Sequence, residues 1–467
     1  MDRPGEDAPV PRESGCNMGG TDETRADAAP GGYGGARKPG AVGARDADPG
    51  ESGARDSGAA DLTESGVGLA ELSRMAERAG LVVDRLRGRV FVPGGAKRLA
   101  LRFGLREAAR MAGSPGAPLP EAAILAAEAD GRLPAPETTG GPKDGSRAGR
   151  RAYDLAAVNR MRALFGTLPW RAPDERALVL AVQSFKGGVG KTSLTCHLAQ
   201  FLALKGYRVC VVDCDSQASL TSLFGLNPDA DINEETETLY PFFRHGGPAR
   251  LDYALRPTYW PGIALIPANL GLYDAEYEFA ARLMHGSGRA LDRLREGLDT
   301  IRDRFDVILV DPPPALGMIS LSVLRAADAL LIPAPPNNID FASTGHFLRM
   351  MVATLSELAR TGPPPSFSFV RIVTTKLNEA KGAHLAIKRM MESVFPAEML
   401  RAPLRDSAEI DNAAAKLMTV YELSGAAART ETHRRCRASL DAVGVEVERL
   451  IRGTWPSHRG RLSEEPA

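Results

Sequence analysis

A chain of 467 residues exceeds what one hydrophobic core usually organises, so two ordered domains with tails are expected. Charged residues make up 25%, hydrophobic residues 43%, and the formal net charge is zero, which excludes a global basic field for nucleic acid and leaves such binding to local patches. Five cysteines, Cys16, Cys196, Cys210, Cys214 and Cys436, exclude a disulfide-dense scaffold and suit a reducing compartment, with Cys210 and Cys214 expected to pack at a strand end rather than ligate metal.

The chain opens Met1-Asp-Arg-Pro-Gly-Glu-Asp7, without the basic and apolar regions of a signal peptide, and no apolar run reaches about 18 residues, so a cytoplasmic protein off the membrane is expected. Residues 1–66 consist mostly of Gly, Ala, Asp, Glu, Arg, Ser and Pro. They bury too little apolar surface to offset the entropy of ordering and read as a disordered tail. In 67–100, Leu69, Leu72, Met75, Ala79 and Leu81 recur at helical spacing, predicting an amphipathic helix that ends before Arg87, then a linker. Such a helix packs either on its own domain or on a second copy; the pattern leaves both open.

Residues 101–168 read as a small helical module. A helix over Gly104–Gly113, a turn at Ser114-Pro-Gly-Ala-Pro118 and a second helix over Glu121–Ala129 give the spacing of a helix-turn-helix. The second helix carries Glu121 and Glu128 and no basic residue, and acidic side chains repel phosphate. Contacts to DNA would then fall to Arg102, Arg106, Arg110, Arg147, Arg150 and Arg151. The competing reading is a solvated basic face on a dimerisation module.

From 172 to 455 apolar strands and helices alternate, the pattern of a parallel sheet covered on both faces; the 456–467 stretch reads as a polar tail. Strands are predicted at Ala177–Val182, Arg208–Asp213, Phe305–Asp311, Ala329–Pro333 and Phe369–Thr374. The first runs into Lys186-Gly-Gly-Val-Gly-Lys191-Thr192-Ser193 and then a helix. Gly187, Gly188 and Gly190 let backbone wrap closely around a ligand, and amides at a helix start favour anions. Lys191 would reach the β- and γ-phosphates, and the Thr192 hydroxyl would ligate the bridging magnesium. The strict glycine-first pattern fails at Phe185, and a second lysine, Lys186, follows it. Val212-Asp-Cys-Asp-Ser-Gln217 places Asp213 and Asp215 at the next strand end, where a carboxylate can orient an attacking water or hold a metal through its water shell. Val307-Ile-Leu-Val-Asp311 closes on an acid suited to magnesium, and Pro312–Pro314 turns the chain away,.

The motif with two lysines resembles the deviant Walker A of the ParA/MinD family of P-loop ATPases, and within it the plasmid partition proteins called ParA or RepA. The segment ending in Arg150-Arg-Ala-Tyr153 resembles the MerR-like winged helix-turn-helix carried ahead of the ATPase in the larger members. Ile339-Asp-Phe-Ala-Ser-Thr-Gly345, Ile372–Asn378 and Pro403–Ala415 resemble later family segments. The resemblance implies an α/β P-loop NTPase with a mostly parallel, doubly wound sheet, preceded by a winged helix-turn-helix domain. It implies ATP and Mg²⁺ as cofactors, with Lys186, Gly187, Gly188, Val189, Gly190, Lys191, Thr192, Ser193 and Lys376 at the nucleotide and Thr192, Asp213 and Asp311 at the metal. It gives Asp215 the attacking water, Lys191 its own nucleotide, and Lys186 the phosphates across a homodimer. The implied function is weakly hydrolytic plasmid or chromosome partition: a sandwich dimer on nonspecific DNA, released by a ParB-like centromere-binding partner and associated with the nucleoid. The alternative is an ATP-switched repressor of its own operon. An iron-sulfur role needs thiolates near the second acid, and none lies between Cys214 and Cys436,.

Overall fold

The computed structural model describes residues 69–90, 97–114, 116–139, 150–284, 290–360 and 366–462. The tail expected at 1–66 and the candidate DNA contact Arg147 lie outside these. Leu69–Ala467 form one compact unit.

The first helix, Leu69–Val90, exposes every one of its described side chains. It was expected to stop before Arg87 but continues through Gly88, because a single glycine costs a helix only ~1 kcal/mol and no proline intervenes. Next come helices Leu105–Ala112 and Glu121–Ala129, an antiparallel pair of strands, β1 (Glu137–Thr139) and β2 (Arg150–Ala152), and a third helix, Leu155–Phe165. Asp154 caps that helix through the Ala157 amide at 2.7 Å, and Gly166 ends it in the left-handed conformation,.

The main sheet contains β3 (Leu178–Val182), β4 (Val209–Asp213), β5 (Arg256–Pro257), β6 (Ile263–Ile266), β7 (Val307–Asp311), β8 (Ala329–Ala334) and β9 (Phe369–Thr374). Their spatial order is β5-β6-β4-β7-β3-β8-β9, with only β5 antiparallel to its neighbour. The five strands expected from apolar runs are present; β5 and β6 were not anticipated. Each face of β3 feeds its own core. Leu178, Leu180 and Val182 join one and Val179 and Ala181 the other, as alternation along a doubly covered strand requires.

The first of these cores does not stop at the sheet. Phe103, Ile124, Val158 and Met161 of the N-terminal module belong to the same buried cluster as Leu194, Phe201 and Val443 of the sheet-covering helices. Arg162, almost fully buried, donates to the Met111 carbonyl at 2.8 Å and to Leu204 O at 2.6 Å, tying both parts of the module to the helix Lys191–Lys205.

At the other end, the stretch expected as a polar tail begins with a packed helix, Pro456–Leu462. Trp455 and His458 are buried, and Glu175 accepts from the Ser457 amide at 2.7 Å and its hydroxyl at 2.6 Å. Its partners are distant in sequence, so composition did not reveal it. Cys196, Cys210, Cys214 and Cys436 are free and buried, and burial pushes their thiols up. No helix among the described residues is long and apolar enough to cross a membrane.

Candidate nucleotide site

β3 is flanked by β7 and β8, so the chain leaving its carboxyl end enters a crevice between parallel strands, the place where ligands gather in such sheets. The turn 186–190 lies there. Gly188 and Gly190 take φ of +74° and +96°, a region that disfavours any residue with a Cβ. No atom outside the turn lies within 4 Å of where a Cβ would stand at either glycine; the loop wraps open space. Gly190 caps the helix Lys191–Lys205, whose first amides lack intrahelical partners and aim out of the helix start. The buried Thr375 hydroxyl donates to Val189 O at 2.8 Å and pins the turn from the end of β9.

The space inside is a cavity of about 630 Å³ lined by every residue from Gly187 to Ser193. Beyond the loop, Asp215, Gln217, Lys376, Arg405, Asp406, Ser407 and Asp411 add polar side chains to the lining, and Leu223, Pro314, Leu404, Ile410 and Leu417 add apolar ones. The Lys191 ammonium is nearly buried and only 3.5 Å from the Lys186 carbonyl. Desolvation lowers its pKa, and Asp311 and Asp215 oppose that.

The two strand-end acids stand side by side, since Asp213 and Asp311 are register partners on β4 and β7. Burial, then the charge of Asp213, pushes the Asp311 carboxyl up to about 8, against the nearby Thr192 hydroxyl and the Lys191 charge, and Thr195 Oγ1 lies 3.5 Å from its Oδ1. Asp311 and Thr192 thus offer adjoining hard oxygens, a donor set that fits Mg²⁺, which keeps several of its waters beside one or two carboxylates. Asp213 is placed differently from the metal role expected of it. Its carboxylate accepts from the Thr221 amide at 2.9 Å and hydroxyl at 2.7 Å and from the Asp215 amide at 3.2 Å. Fully buried, with its carboxyl raised to about 7 by desolvation, it organises the loop that carries Asp215; Asp311 is as deeply buried, and neither acid lines the cavity. Asp215 does line it, half-buried, with one oxygen accepting from Gln217 N at 2.9 Å.

Lys186 departs from the other cradle residues. Its ammonium forms an ion pair with Asp340 at the start of the helix Asn338–Leu358, in a second cavity of about 390 Å³. The two lysines of the motif therefore line different cavities.

Gln217, Asp340 and Thr375 lie in segments that the sequence singles out, without a role of their own there; Leu417 lies outside all of them and reaches the cavity only through tertiary packing. One trace of the site is conformational. The three non-glycine residues with positive φ among those described are Ala218, Lys376 and Leu417; two line the cavity and Ala218 is bracketed by Gln217 and Ser219, which do. Such backbone costs of order 1–3 kcal/mol each and gathers at functional sites.

The candidate DNA contacts are dispersed. Arg151 pairs with Glu128, which also accepts from Tyr153 Oη at 2.8 Å. Arg106 stands 3.5 Å from Glu121, and Arg102 pairs with Glu137 at 2.9 Å. Arg110 lines a cleft between the module and the helix Lys191–Lys205, whereas Arg150 is exposed on β2. The acidic residues of the second helix serve this local pairing.

Residues 177–361 match the AAA_31 family, described as an AAA domain. The chain is 30% identical over 377 residues to a putative replication protein A of Sinorhizobium fredii (strain NBRC 101917 / NGR234), covering 78% of this chain and 89% of the relative. It is 32% identical over 366 residues to protein SopA of Escherichia coli (strain K12), covering 77% and 91%. Among solved structures, one titled "Partition Protein" aligns with a TM-score of 0.51 at 19% identity, over 81% of this chain and 98% of that one, a likeness of fold. With the deviant phosphate loop, its two strand-end acids and relatives matched along most of their length, the chain belongs to the ParA/MinD-like P-loop ATPases related to plasmid partition proteins.

Proposed function

We propose that this chain is an ATP-dependent DNA partition protein of the cytoplasm, associated with the nucleoid, whose ATP-bound form is a sandwich dimer on nonspecific DNA. The observation that carries the reading is the placement of the two lysines. Lys191 sits inside the cradle with Gly187–Ser193, while Lys186 lies outside it, beside Ile339, which is 75% exposed, on a face open to a second copy. A lysine pointing out of its own site suits the phosphates of a facing one, where a second ammonium in the same cradle would mainly add repulsion.

In this reading the 187–193 amides and Lys191 hold the triphosphate, and Lys376, with the apolar side chains of the lining, borders the base. Thr192 and Asp311 hold Mg²⁺, which when bound offsets charge on the β- and γ-phosphates. Asp215 orients the attacking water, held in place by the buried Asp213 behind it. Turnover is slow until DNA and a ParB-like centromere-binding partner engage the dimer. Arg106, Arg110, Arg147, Arg150 and Arg151 are the proposed DNA contacts of the module, to which the helix-turn-helix spacing gives operator reading. The packing of that module on the phosphate-loop helix supports a second role, repression of its own operon under ATP control.

Phosphate release by the full chain is the test. With Mg²⁺, slow release from ATP, much less from GTP, and a rise on adding DNA are expected, with sedimentation showing a dimer in a slowly hydrolysed ATP analogue. Equal turnover of ATP and GTP would remove the base assignment, and a monomer at saturating analogue would remove the sandwich.

A further inference from the structure

Residues 97–100 lead into the N-terminal module and carry no part of the nucleotide motif. Lys97 nevertheless reaches the wall of the cavity. Its Nζ donates to Leu417 O at 2.7 Å and lies 3.4 Å from Leu223 O. Both residues line the cavity, from different elements: Leu223 ends the short helix Ser219–Leu223 behind the Asp215 loop, and Leu417 follows the helix Ala408–Ala414 with φ of +49°. The same ammonium stands 2.9 Å from Glu422 Oε1 and 2.8 Å from Tyr259 Oη. Glu422, 4% exposed, is in turn held by Tyr259 Oη at 2.5 Å and the Thr419 amide at 2.6 Å. The aliphatic stem is fitted as closely: a Cβ on Gly225 would come within 2.8 Å of Lys97 Cδ.

We infer that Lys97 is a positioning residue of the nucleotide site, a tie that fixes the separation of the two walls to which Leu223 and Leu417 belong, and that it makes nucleotide affinity depend on the segment entering the N-terminal module. A neutral donor would satisfy one carbonyl. An ammonium has three protons, shared here among four oxygens, with the Leu223 carbonyl at 3.4 Å the most distant, so it reaches both walls and the buried Glu422 at once. Leu223 and Leu417 lie outside the phosphate loop and add aliphatic side chains to the lining, so the tie is assigned to the base end of a ligand, with the phosphate end left to Lys191 and the loop amides.

The inference rests on the reading of this cavity as the nucleotide site, and the test separates the two. In the full chain, Lys97→Met with Glu422→Gln removes both charges together, so that no buried carboxylate is left unpaired. A fluorescent ATP analogue should bind this double variant about tenfold more weakly, whereas inorganic tripolyphosphate should compete at the parent concentration within about twofold. Tyr259→Phe keeps every charge and removes one contact of the ammonium; it should weaken the analogue about twofold to threefold and serves should the double variant fail to fold. Lys191→Ala is the control and should lose both ligands. Parent affinity for the analogue in a folded double variant, or in Tyr259→Phe where that variant is the one that folds, overturns the tie alone. Equal weakening of both ligands overturns it as a base-end device, and retention of both by Lys191→Ala overturns the site reading and the tie with it.

Discussion

At the scale of single residues the two lysines of the loop are expected to separate binding from assembly. Lys191→Ala should abolish measurable affinity for a fluorescent ATP analogue. Lys186→Ala should bind it within about tenfold, or ~1.4 kcal/mol, of the parent, yet stay monomeric in sedimentation with a slowly hydrolysed analogue; dimers of that variant would reduce Lys186 to a surface charge paired with Asp340. A second residue makes stability depend on acid. His197, buried in the phosphate-loop helix, has Nδ1 2.7 Å from Ser193 O and receives the Val420 amide on Nε2 at 3.2 Å. Donation from Nδ1 leaves Nε2 as the acceptor, so the ring is neutral, and a second proton would break the Val420 bond. Burial, the largest cause, lowers its pKa. Below about pH 6.5 the unfolded chain takes up a proton that the folded chain refuses, and stability is lost as pH falls from that value toward the lower folded pKa. Melting of the parent at pH 7.5 and 5.5, set against His197→Gln, should show the smaller acid loss in the variant; equal losses would mean the histidine is not what senses the acid.

Among the elements, the helix Glu431–Gly453 packs on the phosphate-loop helix through a glycine. A Cβ at Gly444 would stand 2.6 Å from the Phe201 ring, so Gly444→Val should force the helices apart and cost ~1–3 kcal/mol, read as a lower denaturation midpoint with unchanged slope. A midpoint like the parent's would show that the two helices can shift without loss. The sequence displays signals that are local and withholds those that depend on distant partners. Continuous runs such as Val307–Val310 and Ala329–Ile332 announce strands buried on both faces, and the glycine, lysine and hydroxyl of the loop announce a phosphate cradle, because each signal is local. β5 and β6 span two and four residues beside Pro261-Gly262, too short for a period to register. The helix Pro456–Leu462 has the composition of a tail, and only the distant Glu175 and Trp170 show why it is ordered; His458 Nε2 lies 3.0 Å from Trp170 O. Lys97 at the cavity wall and Asp340 on Lys186 belong to the same class, legible in residue type and silent about partner.

For the molecule as a whole, the division between the N-terminal helical module and the ATPase part is a division of sequence more than of packing. One buried cluster runs from Phe103 and Ile124 through Leu194 and Phe201 to Val443 and Trp455, and Trp170 Nε1 donates to Gly206 O at 2.9 Å across the junction. The two parts should therefore melt together: calorimetry of the full chain is expected to show one transition for residues 97–462, and Arg162→Ala, which unties the module, should lower the whole of it. Two resolved transitions in the parent would mean that the shared cluster does not couple them. The burial of Cys196, Cys210, Cys214 and Cys436 bears on how self-association of the chain can be tested. Hidden thiols held in the protonated form react slowly with maleimides, so in a chain carrying Cys16→Ser a cysteine placed by Ala230→Cys, on an exposed turn, becomes the single fast-labelling position. Donor-labelled and acceptor-labelled pools of that chain, mixed with and without nucleotide, would then show energy transfer where copies of the chain associate and none where they stay apart.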